Sequence, residues 1–159
     1  MSDADRNVAL LKDAYKKWGD SLGASVDVTW DINGAHGGMV TEPGVTYFTP
    51  LSRGMAASLS LNAEHGDGEF MDYYYSISPA QALASGLPAF DADGGGWTKA
   101  GGNLLLGFDL DGNLENGGLA LVAVGGYMRM LGDAKRSPVT SVRGDADQWT
   151  VALGLGYTF

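Results

Sequence analysis

The stretch that decides the fold lies at the end of the chain and reads WTVALGLGYTF at residues 149–159. Its odd positions hold large apolar side chains, and its even positions hold threonine, alanine or glycine. This alternation predicts a β-strand with one apolar face and one small, mildly polar face. A soluble sandwich shows the opposite pattern, because its buried face is large and its exposed face is charged. The terminal strand therefore fits a membrane barrel whose large side chains face lipid.

The same alternation occurs further up the chain, which predicts six strands in all. Three of them are regular, at residues 22–32, 55–64 and 100–110. Residues 39–49 are less regular and contain Pro43, which lacks a donor for a strand ladder. Residues 119–131 are apolar on both faces over much of their length. Two further segments, 8–18 and 70–77, are weaker strand candidates.

The connections between these strands alternate in length. Residues 49–54 and 111–117 are short and turn-rich, whereas residues 33–38, 64–96 and 132–147 are longer loops. Short periplasmic turns and longer outer loops are typical of bacterial outer-membrane barrels. The even strand number also places Phe159 on the short-turn side, as such barrels require. We therefore predict an all-β, antiparallel, up-and-down transmembrane β-barrel.

The six regular or less regular strands are too few to close a barrel without the two weaker candidates, since single-chain barrels begin at about eight strands. We expect an incomplete barrel in which strands 22–32 and 149–159 are edges that missing N-terminal strands would bridge. Residues 22–159 form the barrel region, and residues 1–21 form a separate N-terminal segment. There Val8, Leu11, Tyr15 and Trp18 favour a short helix, with a degenerate strand as the alternative. Residues 1–7 lack the apolar run of a secretory signal, so the chain is expected to be part of a longer exported protein.

Composition and charge exclude several classes of protein. The 159 residues are 45% apolar and include 25 glycines but no cysteine. The mean hydropathy of −0.06 is too polar for a helical membrane protein, and the longest aliphatic run, residues 119–124, cannot cross a bilayer as a helix. The net charge of −9 comes without a basic patch, which argues against binding to nucleic acid.

Four segments resemble the MipA/OmpV family of outer-membrane proteins, whose name comes from MltA-interacting protein. They are His36-Gly37-Gly38, the loop SPAQALASGLPAF at 78–90, LGDA at 131–134 with Ser137-Pro138, and the terminal GYTF at 156–159. The resemblance runs from about Leu22 to Phe159 and places the chain at the C-terminal part of such a protein. It implies a Gram-negative outer-membrane location and a scaffold role between murein hydrolase and murein synthase, with links to adhesion or drug sensitivity in some members. It supplies no catalytic residues.

Candidate chemical sites are few. His36 and His65 each stand beside glycine and are interpreted as turn residues, because no nucleophile motif accompanies them. The DLDGN sequence at 109–113 is interpreted as a tight turn, since its glycine is misplaced for a calcium loop. The acids Glu69, Asp72, Asp91 and Asp93 could bind divalent cations loosely, but solvated loop acids are the simpler interpretation. Residues 73–75, three tyrosines, fit a ligand-contacting patch or an aromatic girdle equally well.

We predict no catalytic, cofactor-binding or metal site, and two structural groups instead. The aromatic residues expected as membrane-interface anchors are Trp30, Tyr47, Trp97, Trp149, Tyr157 and Phe159. The acids expected to face the barrel lumen are Asp27, Asp31, Glu42, Glu64 and Asp109, which would either favour cations or pair with Lys99 or Arg129 to plug the lumen. Expected partners are outer-membrane lipid, the barrel-assembly machinery through the terminal strand, and murein-processing proteins. The alternatives are a soluble β-sandwich or lipocalin-like binding module, or a small cation-preferring pore or adhesin.

Overall fold

A computed structural model describes residues 20–92 and 94–158, and these residues form one antiparallel sheet with short helices at one end. The helix-or-strand prediction for the N-terminal segment, and Phe159, lie outside the described residues. The strands are β1 Ser21–Trp30, β2 Met39–Ser52, β3 Met55–Gly66, β4 Gly96–Asp109, β5 Gly118–Met130 and β6 Asp147–Thr158. The helices are α1 Gly68–Tyr75, α2 Pro79–Ser85 and α3 Gly132–Arg136, followed by a π-helical turn, Val139–Arg143.

Each strand pairs with the next one along the chain, so the sheet has the order β1-β2-β3-β4-β5-β6. All five pairings are antiparallel. In the described part of the chain, β1 and β6 pair with no further strand, and the sheet stays open between them. The predicted up-and-down, incompletely closed sheet is thereby confirmed, with the two edge strands at the expected places.

The two faces of the sheet differ as the alternation predicts. One face has the large apolar side chains, and on β6 it includes Val151, Leu153 and Leu155, which are 83%, 74% and 71% exposed. The other face is smaller and more polar on most strands, and on it the hydroxyls of Thr46 and Ser60 lie 2.8 Å apart. On β4 and β5 this face also holds Leu105, Val122 and Val124. Among the described residues the six strands form a single sheet, and no second layer covers its apolar face.

Pro43 disturbs the sheet locally on one side only. It stays in register with Val26 of β1, but the ladder to β3 is interrupted between the pairs Thr41↔His65 and Gly44↔Asn62. A proline has no N–H to donate, which accounts for the gap. A second irregularity is a bulge near the end of β3, where Glu64 pairs with Lys99 and His65 pairs with Trp97. Thr98 is the extra residue of this bulge and is fully buried.

The long loop between β3 and β4 differs from one sequence expectation. The weak strand candidate 70–77 is wrong, because most of it belongs to α1. Asp67 begins this helix, and its carboxylate accepts a hydrogen bond from the Phe70 amide at 2.9 Å. His65 was expected in a turn but lies in β3, since the strand continues to Gly66. Among the described residues, no helix is long and apolar enough to cross a membrane.

Candidate functional site

The three long connections pack together at one end of the sheet and form what we call the long-loop cap: the described residues of 31–38, 67–95 and 131–146. Its interior is a small apolar cluster of Met71, Ala92 and Ala134 with Met130 from the end of β5, and all four are at least 95% buried. The Ser137 hydroxyl, itself buried, donates a 2.6 Å hydrogen bond to the Tyr75 carbonyl. The cap is therefore a folded unit with its own core, which the apolar face of the sheet lacks.

The first connection of the cap is organised around one carboxylate. Asp31 accepts hydrogen bonds from the backbone amides of Asn33, Gly34, His36 and Gly37 at 2.9, 3.0, 2.7 and 3.1 Å. These donors stabilise the charged form and lower the pKa of Asp31 to about 2, with the amides of His36 and Gly37 contributing most. Asp31 therefore acts as the structural anchor of this loop.

A second carboxylate joins this loop to α1. Asp67 accepts a 2.7 Å hydrogen bond from the Met39 amide, while its other oxygen accepts the amide of Phe70. The adjoining Gly38 has no space for a side chain, because a Cβ there would lie 2.5 Å from the Phe70 nitrogen. The start of β2 and the start of α1 are consequently fixed to each other.

An aromatic cluster forms where these two segments meet. The His36 ring lies 5.7, 5.4 and 5.5 Å from the rings of Phe70, Tyr73 and Tyr74. Its Nδ1 accepts a 3.0 Å hydrogen bond from the Gly38 amide, which leaves Nε2 as the protonated nitrogen. The tyrosines thus belong to a helix of the cap, and two of them, Tyr73 and Tyr74, remain about half exposed.

The base of the cap rests on a polar group at the inner face of the sheet. Glu64 forms an ion pair with Lys99 at 2.8 Å and accepts a 2.6 Å hydrogen bond from the Thr98 hydroxyl. Tyr75 extends toward this group, and burial together with the charge of Glu64 raises the pKa of Tyr75 to about 12. Glu64 was expected to face the lumen, and its charge is neutralised by Lys99, one of the two cations that the sequence suggested as partners.

The other acids expected in the lumen occupy different places. Asp27 lies on the polar face of β1 opposite Glu42, which is in contact with the Asn62 amide. Asp31 lies in the cap, and Asp109 lies at the end of β4, where it accepts the amides of Asp111 and Asn113 at 2.9 and 3.2 Å. Arg129 pairs with Asp147 at 3.5 Å instead of with any of them. Their role in a lumen stays a prediction.

The described aromatic residues expected as membrane anchors all lie on the apolar face and fall into two groups. Trp30 ends β1, while Trp97 and Trp149 lie at the beginnings of β4 and β6, so all three are near the cap. Tyr47 and Tyr157 lie toward the opposite end of their strands. All five are between 41% and 76% exposed. Two aromatic groups at opposite ends of an apolar band match the girdle pattern, and their function as anchors stays a prediction.

The opposite end of the sheet presents a surface that we call the short-turn face, made of residues 50–54 and 109–117. Its two turns are tied together, because the amides of Leu114 and Asp109 donate to the carbonyls of Arg53 and Gly54 at 2.9 and 2.8 Å. The turns also pack closely, since a Cβ at Gly54 would lie 2.6 Å from the Gly112 backbone. Leu51 and Leu110 are exposed beside these turns, which gives a rigid surface with accessible apolar groups.

The two histidines are not brought together into a reactive group. His36 lies in the aromatic cluster of the cap, whereas His65 contacts the Trp97 ring at 5.4 Å. In the described residues, no hydrogen bond joins either imidazole ring to a carboxylate or a hydroxyl, and no group of three potential ligands could hold a metal ion. The acids considered for loose cation binding include Asp93, which lies outside the described residues.

Most of the cap was not predicted from the sequence. The signals were present, however: Asp67 precedes Gly68-Glu69-Phe70, and the Ser78-Pro79-Ala80-Gln81 sequence forms a complete capping box at the start of α2. Ser78 accepts the Gln81 amide at 3.3 Å, while the Gln81 side chain accepts the Ser78 amide at 2.8 Å. No local sequence pattern indicated the hydrogen bond between Ser137 and Tyr75, which are 62 residues apart.

The comparisons with known proteins agree with this architecture. The family model of MltA-interacting protein MipA matches residues 4–159. The chain belongs to the MipA family. This match begins in the N-terminal segment, so the MipA family pattern extends further up the chain than the resemblance from Leu22 suggested. No curated protein and no solved structure matches this MipA-family chain.

Proposed function

We propose that this chain is an outer-membrane protein that acts as an envelope scaffold for murein-processing enzymes and has no catalysis of its own. The observation that supports this most is the family match over residues 4–159, because the family takes its name from interaction with MltA. The partner of this chain would accordingly be a murein hydrolase. A murein synthase would be the second partner if the scaffold links the two activities.

The membrane location is supported by the apolar face of the sheet. Most of its leucines and valines are between 42% and 83% exposed, and among the described residues no protein layer covers them. Burial of such side chains is worth about 1.5–3 kcal/mol each, so an aqueous face of this size would be strongly unfavourable. Lipid contact removes that cost, and the aromatic groups at both ends of the face fit the two membrane interfaces.

The short-turn face is the surface that we propose for the periplasmic partner. Short turns face the periplasm in bacterial barrels, which is the side where murein lies. The Leu114 amide donates to the Arg53 carbonyl and joins the backbones of the two turns, and Arg53 and Glu115 lie beside the exposed Leu51. A rigid surface with apolar and charged groups binds a partner at a small entropic cost.

The absence of catalysis is proposed from the surroundings of the two histidines. A hydrolytic site of the serine type requires a nucleophile, a base in hydrogen-bond reach and a group that orients the base. His36 accepts a backbone amide and is surrounded by aromatic rings, and His65 lies on the apolar face against Trp97. We expect His36→Ala/His65→Ala double substitution to leave the envelope phenotype of the chain intact. Loss of a hydrolytic activity in that variant would contradict the proposal.

Site-specific photocrosslinking in the intact envelope tests the scaffold. A photoreactive residue at Glu115, on the short-turn face, should capture a murein hydrolase that mass spectrometry identifies. The matched control is Leu83 on α2, which is 90% exposed but belongs to the cap. Capture at Leu83 instead, or capture of assembly machinery alone at Glu115, would contradict the proposed partner and surface.

A further inference from the structure

The cap contains an open cleft whose chemistry the scaffold role does not use. It has a volume of about 910 Å3 and lies between the C-terminal end of α1, the start of α2 and the returning segment 89–91. That volume is within the range of small-molecule sites in proteins. The cleft lies at the end opposite the short-turn face, so it is separate from the proposed partner surface.

Backbone pairing fixes the floor of the cleft. Ile77 and Phe90 exchange two hydrogen bonds, with the Ile77 amide donating at 2.7 Å and the Phe90 amide donating at 3.0 Å. The Ala92 amide then donates to the Ser76 hydroxyl at 2.9 Å. Since Ala92 belongs to the buried core of the cap, the cleft is connected to the best-packed part of the chain.

The lining of the cleft combines negative charge with aromatic surface. Its charged groups are Asp72 and Asp91, both exposed, and no lysine, arginine or histidine lines it. In the described residues, neither carboxylate accepts a hydrogen bond or pairs with a cation. Tyr73 and Phe90 supply aromatic rings, and Gln81 supplies a polar side chain. Two carboxylates without a counter-ion, beside two rings, constitute a surface complementary to a cation with an apolar body.

Other ligand classes fit this lining less well. An anion would meet two carboxylates and no compensating cation, which disfavours it electrostatically. A divalent metal ion requires converging ligands, and among the described residues no group of three acidic or histidine side chains is close enough to hold one. A neutral sugar would use the ring surface and the hydrogen-bonding groups, but it would leave both charges unpaired.

We propose that this cleft binds a small organic cation, an alkylammonium group attached to an apolar or aromatic body. The ammonium lies between the carboxylates of Asp72 and Asp91, and the apolar body lies against Phe90 and Tyr73. Exposed ion pairs and cation–π contacts are individually weak, so binding is in the high-micromolar to millimolar range. Such a site gives the outer end of the chain a ligand-binding activity in addition to its scaffold role.

The test uses two probes of the same shape that differ in charge, 2-phenylethylammonium and 2-phenylethanol. They are titrated against the full chain in lipid nanodiscs, and the amide signals of Ile77, Phe90 and Ala92 report binding by NMR. The ammonium should bind roughly five- to twentyfold more tightly than the alcohol, and added salt should reduce this preference. Empty nanodiscs measure partition of each probe into lipid.

The variants separate charge from shape. Asp72→Asn/Asp91→Asn should remove the preference for the ammonium while leaving the amide spectrum of the cap unchanged, because neither carboxylate is part of its hydrogen bonding. Glu69→Gln is the matched control for Asp72→Asn, since it removes one charge from the same helix outside the cleft and should leave binding as it was. Equal binding of the two probes, an unchanged preference in the double variant, or tighter binding of a methyl glucoside would overturn the proposal.

Discussion

Replacing Met71 by alanine tests whether the cap is a cooperative unit with its own core. The side chain is 1% exposed and packs in the cluster with Met130, Ala92 and Ala134. Its small alanine neighbours cannot extend into the space that the lost thioether leaves, so a cavity remains. Buried Met→Ala substitutions cost about 2–5 kcal/mol, and this range corresponds to a roughly thirtyfold to several-thousandfold shift in an opening equilibrium.

Amide hydrogen exchange measures this effect directly. The amides of Ser76, Lys135 and Ser137 are hydrogen-bonded within the cap and should exchange at least about thirtyfold faster in Met71→Ala, while amides in the middle of β3 and β4 keep their protection. Leu83→Ala removes a comparable side chain from an exposed position of α2 and should change exchange little. Equal effects of the two substitutions, or loss of protection throughout the sheet, would refute the idea of a separate cap core.

Three further predictions concern the anchors of the cap. Gly38→Ala should release the Met39 and Phe70 amides from Asp67, because the new Cβ would lie 2.5 Å from the Phe70 nitrogen; Gly23→Ala, whose Cβ would have its nearest neighbour at 4.0 Å, is the control in the same NMR spectra. Because the pKa of Asp31 is lowered to about 2 from its usual value of about 4, its contribution to loop stability is present above pH ~4 and is lost as pH falls toward 2. The amide shifts of His36 and Gly37 should follow that titration, and Asp31→Asn should abolish it. The pKa of Tyr75 is raised to about 12, so its neutral form stabilises the cap below pH ~10 and this contribution is lost between about 10 and 12. Tyrosinate absorbance should show a group titrating near pH 12 that is missing in Tyr75→Phe, and identical titration curves of the two proteins would contradict the burial.

The sheet was largely predictable because its pattern is local. Alternation along 22–32, 55–64 and 149–159 requires only the period of a strand, and the short turns follow from glycine, aspartate and asparagine at fixed places. Pro43 also behaved as its chemistry dictates, since the ladder is interrupted where its missing N–H would have been needed. Strand ends shifted by a few residues, as in β4, which begins at Gly96 because the bulge at Thr98 lets the strand continue into the loop.

The cap was not predictable in the same way, because long-range contacts determine it. Residues 70–77 show a weak alternation, which suggested a strand. The N-terminal hydrogen bond from Asp67 and the burial of Met71 against Ala134 favour a helix instead. His65 was predicted in a turn but lies in β3 for a related reason, because the pairing of His65 with Trp97 extends the strand. The cleft depends on the Ile77–Phe90 pair, which joins two segments that no local pattern connects.

Collision measurements with a nitroxide label test the central claim, that the apolar face of the sheet meets lipid. The chain has no cysteine, so a single introduced cysteine is labelled uniquely. Leu59→Cys, Ser60→Cys and Leu61→Cys are three successive positions of β3, and the two leucines are 47% and 57% exposed. Labels at 59 and 61 should collide often with oxygen and rarely with a water-soluble nickel chelate in lipid bilayers, whereas the label at 60 should not show this lipid signature. Frequent chelate collisions at 59 and 61, with protection at 60, would show that the large side chains face water and would contradict the account.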